Sequence, residues 1–264
     1  MRSFITSETN PFIKQLKTLL RSNRQCRQQG LTIAEGIHLG QELLNHSDLI
    51  VKTVVRSGAE KNPEISSLVQ QYEAKQIAII EVPASVFNLI CPVETSVGLL
   101  SLIRIPKEDT SELAGDAVYL DSVQDPGNVG TIIRAVAASG VPTIYTNQDS
   151  AWIWSPKVLR SAMGAHFYIK IRSSVSLEEA KKETGAEILV ADARGGKDLY
   201  QESWGERSSL WVFGNEGLGV SQTALDLADK VILIPIAPEI ESLNVAMAAT
   251  VCLFEQRRRR LVKK

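Results

Sequence analysis

The reading of this chain turns on Val231-Ile232-Leu233-Ile234-Pro235-Ile236 and the Ser242-Leu243-Asn244-Val245-Ala246 that follows it. An apolar strand-like run gives way to a polar turn and then to the last helix, with Ser242 read as its N-cap and Asn244 given no capping duty. Two earlier stretches repeat that grammar. One is Asp121-Ser-Val-Gln-Asp-Pro-Gly-Asn128-Val-Gly130-Thr-Ile-Ile-Arg134, and the other is Val212-Phe-Gly214-Asn215-Glu216-Gly217-Leu218-Gly219. In α/β proteins ligands collect where strands end in such turns. Three of them in one half of the chain predict a single composite site.

Outward from there, strands are predicted at 117–120, 143–145, 167–171, 188–191, 210–213 and 231–235. Helices are predicted from the Asn128 turn to about 139, and at 156–162, 177–184, 221–227 and 242–259. This alternation implies a mainly parallel sheet covered on both faces. The first half begins with Asn10-Pro11, an N-cap followed by proline at the first helical position. Ile13, Leu16, Leu19 and Leu20 then recur at helical spacing, with Lys14, Lys17, Arg21 and Arg24 on the opposite face. A strand and turn at 31–36, helices at 37–44 and 64–75, and strands at 49–55, 77–82 and 97–103 complete a small α/β domain. The expected organisation is therefore a first domain at 1–104, a polar linker at 105–115 containing Pro106 and Gly115, and a larger domain at 116–264.

Composition sets the class. With 264 residues, 44% hydrophobic and 22% charged, the chain has enough apolar material for ordinary cores. The apolar run 245–254, broken by Thr250, is too short to span a bilayer, and the first residues lack the apolar core of a signal peptide. A cytoplasmic protein with no membrane contact is expected. Cys26, Cys91 and Cys252 are far apart and form no CxxC pair, so no structural metal and no disulfide framework are expected; Cys252 reads as a small buried hydrophobe. The net charge of −1 conceals basic ends. Residues 2–29 carry six cations against Glu8, and 257–264 carry Arg257, Arg258, Arg259, Arg260, Lys263 and Lys264, leaving −12 for the remainder. Basic ends suit a polyanion, because phosphate contacts favour clustered Lys and Arg; a solvated helix face with a frayed tail has the same composition.

Taken singly, the turns are ambiguous. Gly127-Asn128-Val-Gly130 lacks the lysine of a P-loop and does not match GxGxxG, which removes the main support for a nucleotide triphosphatase or an ordinary dinucleotide-binding domain. Gly214-Asn-Glu-Gly-Leu-Gly219 permits a sharp turn and close approach of a ligand to main chain. Glu216 within it reads equally as a ligand contact or a solvated turn carboxylate.

Together and in this order, the turns resemble the three motifs of the SpoU (TrmH-like) branch of the SPOUT methyltransferases. The match is carried by N-x-G-x-x-x-R at Asn128, Gly130 and Arg134, by GNEGxG at 214–219, and by I-P-x followed by E-S-L-N-V-A, ending at Ala246. Arg160-Ser-Ala-Met-Gly164 looks like the family's R-x-S-x-G segment. The first half, with Asn10-Pro11 and Ala34-Glu35-Gly36, looks like the ribosomal-protein-like substrate-binding domain that precedes the catalytic domain in many members.

The resemblance implies a trefoil-knotted second domain that works as a homodimer. It implies S-adenosylmethionine held by Gly214, Asn215, Gly217, Gly219, Ile234, Ile236 and Leu243. The implied reaction is methyl transfer to a ribose 2′-hydroxyl of RNA, 23S ribosomal RNA before tRNA, with a non-catalytic RNA-binding protein of the same fold as the remaining alternative. Arg134, Asn128, Glu216, Ser242 and Asn244 would form the catalytic set. The family gives Arg134 the work on the hydroxyl, sometimes as base; because guanidinium resists deprotonation, a clamp on RNA phosphate that stabilises the developing alkoxide is the favoured role. Lys14, Lys17, Arg21, Arg24 and Arg160 would hold RNA. Leu243, Met247, Val251 and Phe254 form a stripe on the last helix, to be covered either by a second copy or by the domain's own sheet.

Overall fold

The first unit of the computed structural model, which describes residues 2–93, 95–204 and 206–262, runs through β1 (Arg2–Phe4), α1 (Pro11–Arg21), α2 (Asn23–Gln29), β2 (Leu31–Glu35), α3 (Ile37–Leu43), β3 (Ile50–Arg56), α4 (Pro63–Ala74), β4 (Ile79–Val82), α5 (Ala84–Leu89) and β5 (Leu99–Arg104). Lys263 and Lys264 of the expected basic tail lie outside the described residues. Asn10 and Pro11 start α1 as their residue types require: Asn10 Oδ1 accepts from Phe12 N at 2.9 Å, and Pro11 occupies the first turn, where no amide is needed. Ile13, Leu16 and Leu19 bury the apolar face. The predicted single basic helix is interrupted at Ser22, whose extended backbone ends α1 and whose Oγ accepts from Gln25 N to start α2. The five strands pair in the order β1-β4-β3-β5-β2, parallel between β1, β4 and β3 and antiparallel where β5 joins β3 and β2.

The second unit contains β6 (Ala117–Asp121), α6 (Pro126–Ser139) and β7 (Thr143–Thr146). The next helix, α7 (Pro156–Ala162), leaves it: Trp154–Gly164 groups with residues Met1–Lys107 in the first unit, and the second comprises Glu108–Ile153 and Ala165–Lys264. It continues with β8 (Lys170–Ser173), α8 (Leu177–Thr184), β9 (Glu187–Ala191), β10 (Lys197–Asp198), β11 (Ser209–Gly214), α9 (Gln222–Leu227), β12 (Lys230–Leu233) and α10 (Val245–Val262). Its seven strands run in the order β10-β12-β9-β11-β6-β7-β8, every pairing parallel. β6 and β11 lie at the centre and are buried at every position, as a sheet covered on both faces requires. The strand expected at 167–171 begins only at Lys170, because Ala165–Tyr168 forms a single 3-10 turn.

Two further expectations change. The last helix starts at Val245 rather than at 242, and its cap is Asn244, whose Oδ1 accepts from Ala246 N at 2.9 Å and Met247 N at 3.3 Å. Ser242 is therefore not the N-cap; it lies three residues before the helix, whereas Asn244 is placed to reach two of the free amides of the first turn. The basic end of α10 is not a frayed tail through Arg260. Arg257 donates to the Ser139 carbonyl at the end of α6, and Arg260 pairs with Asp116. Arg259 lies 4.2 Å over the Trp204 ring and joins Arg258 in bonding Glu255. Beneath this end, Trp211 Nε1 donates to Gln256 Oε1 at 2.6 Å.

Candidate active site

The three turns meet through one chain of hydrogen bonds. α6 starts at the C-terminal end of the central strand β6, where Asp125 caps it by accepting from Asn128 N at 2.8 Å. This leaves the Gln124 and Asp125 amides and the Asn128 side chain facing the turn after β11. Glu216 accepts all three: Oε2 from Gln124 N at 3.2 Å, and Oε1 from Asp125 N at 3.1 Å and Asn128 Nδ2 at 2.9 Å. A carboxylate offers only acceptors, so the Asn128 amide must present its NH2 to Glu216 and its oxygen outward. That oxygen accepts from Asn244 Nδ2 at 3.0 Å, which connects the network to the start of α10. Burial alone would raise the Glu216 carboxyl; the Asn128 amide and the backbone N–H groups of Glu216, Gln124 and Asp125 outweigh it and hold the group below its ordinary value.

The 214–219 turn is closed by reciprocal backbone bonds between Asn215 and Gly219, 2.8 and 2.9 Å. Asn215 Oδ1 also accepts from Gly217 N and Leu218 N, while its Nδ2 donates to the Ser122 carbonyl at 2.9 Å. Ser122 has a left-handed backbone, φ 63°, and is held by Asn147, whose Oδ1 accepts from its amide and whose Nδ2 donates to its Oγ. A strained residue pinned from two sides fixes the path of the loop into α6. Gly214 and Gly219 are required by the geometry. A Cβ on Gly214 would overlap the backbone of Gly219 and Val220, and Gly219 has φ +74°.

Beside this network lies a cavity of about 810 Å³. Its walls include every residue expected to hold cofactor: Gly214, Asn215, Gly217, Gly219, Ile234, Ile236 and Leu243. Glu216, Ser242 and Asn244 line it as well, as does Ile232. The volume falls within the range for small-molecule sites. Its charged lining is Asp192, Glu216 and Glu241 against Arg194, an acidic surround that matches a sulfonium cation. Ile232, Ile234 and Ile236 give the cavity apolar contacts and the glycine turn brings main chain to its wall. The residues present therefore fit S-adenosylmethionine.

The expected catalytic set is brought together only in part. Asn128, Glu216 and Asn244 are bonded to one another, and Ser242 faces the cavity without a hydrogen bond among the described residues. Arg134 stands on the exposed face of α6, about 9 Å along the axis from Asn128 at 1.5 Å per residue. Its guanidinium has no hydrogen-bond or ion-pair partner among the described residues.

Of the residues expected to hold RNA, Lys14, Arg21 and Arg24 are exposed on α1 and α2, and Lys17 pairs with Glu8 at 3.3 Å. Arg160 instead bonds Glu35 at 3.2 Å within the first unit. The Glu35 carboxylate is almost wholly buried and also accepts from Ser96 Oγ at 2.6 Å. A buried carboxylate needs such donors, so Arg160 has a structural duty.

Asp192 and Arg194 were not among the expected site residues. The signal was partial: Ala191-Asp192-Ala193-Arg194-Gly195-Gly196 is a polar, glycine-containing turn at a strand end like the other three, but it leads into the short strand β10 and not into a helix. Burial would raise the Asp192 carboxyl, but the Arg194 guanidinium and amide outweigh it and hold it low.

Comparison with known proteins agrees with this geometry. Residues 116–254 match the SpoU rRNA methylase family, and residues 10–101 match an MRM3-like substrate binding domain. An uncharacterized tRNA/rRNA methyltransferase of Synechocystis is 33% identical, with 96% of this chain and 93% of that protein covered. The 23S rRNA (guanosine(2553)-2′-O)-methyltransferase RlmP of Bacillus subtilis is 28% identical, covering 96% and 98%. An AdoMet-bound rRNA methyltransferase from Sinorhizobium meliloti superposes with a TM-score of 0.83 at 24% identity, covering 98% of each chain, and so shares the fold. The chain belongs to the SpoU rRNA methylase family.

Proposed function

We propose that the protein transfers the methyl group of S-adenosylmethionine to a ribose 2′-hydroxyl of ribosomal RNA. The observation that carries this reading is the bonded chain Glu216–Asn128–Asn244, which ties three separated turns together beside the cavity. The cofactor supplies a methyl already activated by its positive sulfur. The residues that remain must align the hydroxyl and stabilise its oxygen as the proton leaves. Glu216 is engaged by three donors and held low, which suits it to fixing the turn rather than to taking that proton. Arg134 is the unengaged cation on α6; it clamps an RNA phosphate and stabilises the developing alkoxide. Lys14, Arg21 and Arg24 give the first unit a phosphate-binding surface.

The apolar stripe supports homodimerisation: Met247 and Phe254 on α10 are 58% and 44% exposed, and Leu243, just before the helix, 38%, while Val251 is half-buried; the unit's own sheet leaves them open, and a second copy would cover them. Among the described residues no helix is long and apolar enough to cross a membrane.

The test is transfer of radiolabelled methyl to transcribed 23S rRNA, 16S rRNA and bulk tRNA. Label is expected in 23S rRNA, lost with Arg134→Ala and mostly lost with Arg134→Lys, which keeps the charge but not the planar fork. Label in tRNA alone would replace ribosomal RNA as substrate, and near-normal turnover of the Lys variant would remove Arg134 from its role.

A further inference from the structure

The Asp192–Arg194 pair lies in the cavity wall without a part in the network described above. Asp192 follows β9, flanked by β11 and β12, at the strand ends where α/β folds bind ligands. Its side chain is 9% exposed. Among the described residues, every hydrogen bond to its carboxylate comes from Arg194: the amide N at 3.0 Å, Nε at 3.0 and 3.2 Å, and Nη2 at 2.9 Å.

The guanidinium is differently placed. Its side chain is 59% exposed, and a Cβ on Gly219 would stand 3.3 Å from Nη2, so it rests against the glycine turn that walls the cavity. Being two residues from its partner, it can leave by rotating about its own side-chain bonds. Nothing in the sheet must move. The nearly buried carboxylate would then need other donors. A vicinal diol offers two O–H groups at fixed spacing, and a ribose carries one.

Resting on the cofactor reading above, we propose that Asp192 accepts the ribose hydroxyls of S-adenosylmethionine, and that Arg194 is a displaceable substitute donor which occupies this carboxylate until the cofactor arrives. The two members of one ion pair then act in opposite directions on affinity. Loss of Asp192 removes a ligand contact, whereas loss of Arg194 removes a competitor. A merely structural pair would be harmed by either change.

The test is calorimetric binding of S-adenosylhomocysteine and of its 2′-deoxyribose counterpart to the full chain, with no turnover required. Wild type should prefer the ribose form by roughly 10- to 100-fold, the range for a hydrogen bond to a charged group. Asp192→Asn should shrink that preference to about threefold or less, and Arg194→Ala should bind S-adenosylhomocysteine as tightly as wild type or up to about tenfold more tightly. An undiminished preference in Asp192→Asn overturns the proposal. So does Arg194→Ala binding more than tenfold more weakly, which would put the guanidinium on the ligand's own carboxylate; this variant changes an exposed side chain and remains decisive should Asp192→Asn fail to fold. Absence of binding by wild type would refute the cofactor reading itself, a result distinct from binding without discrimination.

Discussion

Residues 2–29 carry a net charge of +5 and residues 257–264 a net +6, yet the two ends use their cations differently. On α1 and α2, Lys14, Arg21 and Arg24 project into solvent. On α10, Arg257, Arg259 and Arg260 each bond a carbonyl or carboxylate of their own unit, and Arg259 also stacks on Trp204. Formal charge therefore overstates what the second end can offer a polyanion. A cation already paired with a buried carboxylate contributes to folding and little to the field outside.

The comparison breaks first at Glu255. This carboxylate is 8% exposed, and the hydrogen bond from Arg258, opposed by burial and joined by the bond from Arg259, holds it at about 2 instead of the ordinary 4.5. Glu255→Ala removes the carboxylate that Arg258 and Arg259 share, while Arg259 keeps the Glu202 and Leu199 carbonyls and the Trp204 ring, so a loss of about 2 kcal/mol is expected, seen as a melting temperature roughly 4–8 °C lower for a unit of this size. The sign with pH follows from the depressed value. The stabilisation is full above the unfolded value near 4.5 and is lost as pH falls towards 2. Urea midpoints of wild type should decline through that window more steeply than those of Glu255→Gln; parallel profiles would contradict the assignment.

The opposite end should respond in binding and not in folding. Replacing Lys14, Arg21 and Arg24 together with Gln should change stability by less than about 1.5 kcal/mol, since exposed substitutions usually stay within about 0.5 each. It should lower the slope of log K for RNA against log salt by roughly 2 to 3, at about 0.7–0.9 per phosphate contact. Arg260→Gln should leave that slope unchanged while lowering stability. An equal fall in slope from both variants would erase the distinction. The smallest effect belongs to Arg258→Ala. This arginine is 62% exposed despite its bond to Glu255, so its denaturant midpoint should stay close to that of wild type.

What was legible in the sequence was local. Strand, turn and helix start follow one another within about fifteen residues around Asn128, Glu216 and Asn244, so apolar runs and turn residues suffice to place them. Ser242 shows the limit of a local rule. Both Ser and Asn can cap, and the choice of Asn244 depends on its second duty to Asn128, 116 residues away. The departure of α7 was not legible at all: Ser155 and Pro156 start a helix equally well against either core. What assigns it is Thr32 Oγ1 donating to the Trp154 carbonyl at 2.7 Å and Arg160 meeting Glu35, contacts across more than 120 residues. The basic tail misled for the same reason, since Trp204, Glu202 and Asp116 are remote in sequence.

The most direct test of the composite site is where the methyl group lands. After labelled transfer to 23S rRNA, complete alkaline hydrolysis separates ribose from base methylation, because a 2′-O-methyl removes the hydroxyl that cleaves the adjacent phosphodiester. The account predicts label in an alkali-stable dinucleotide, abolished by Arg134→Ala; label in ordinary mononucleotides would place the methyl on a base and contradict it.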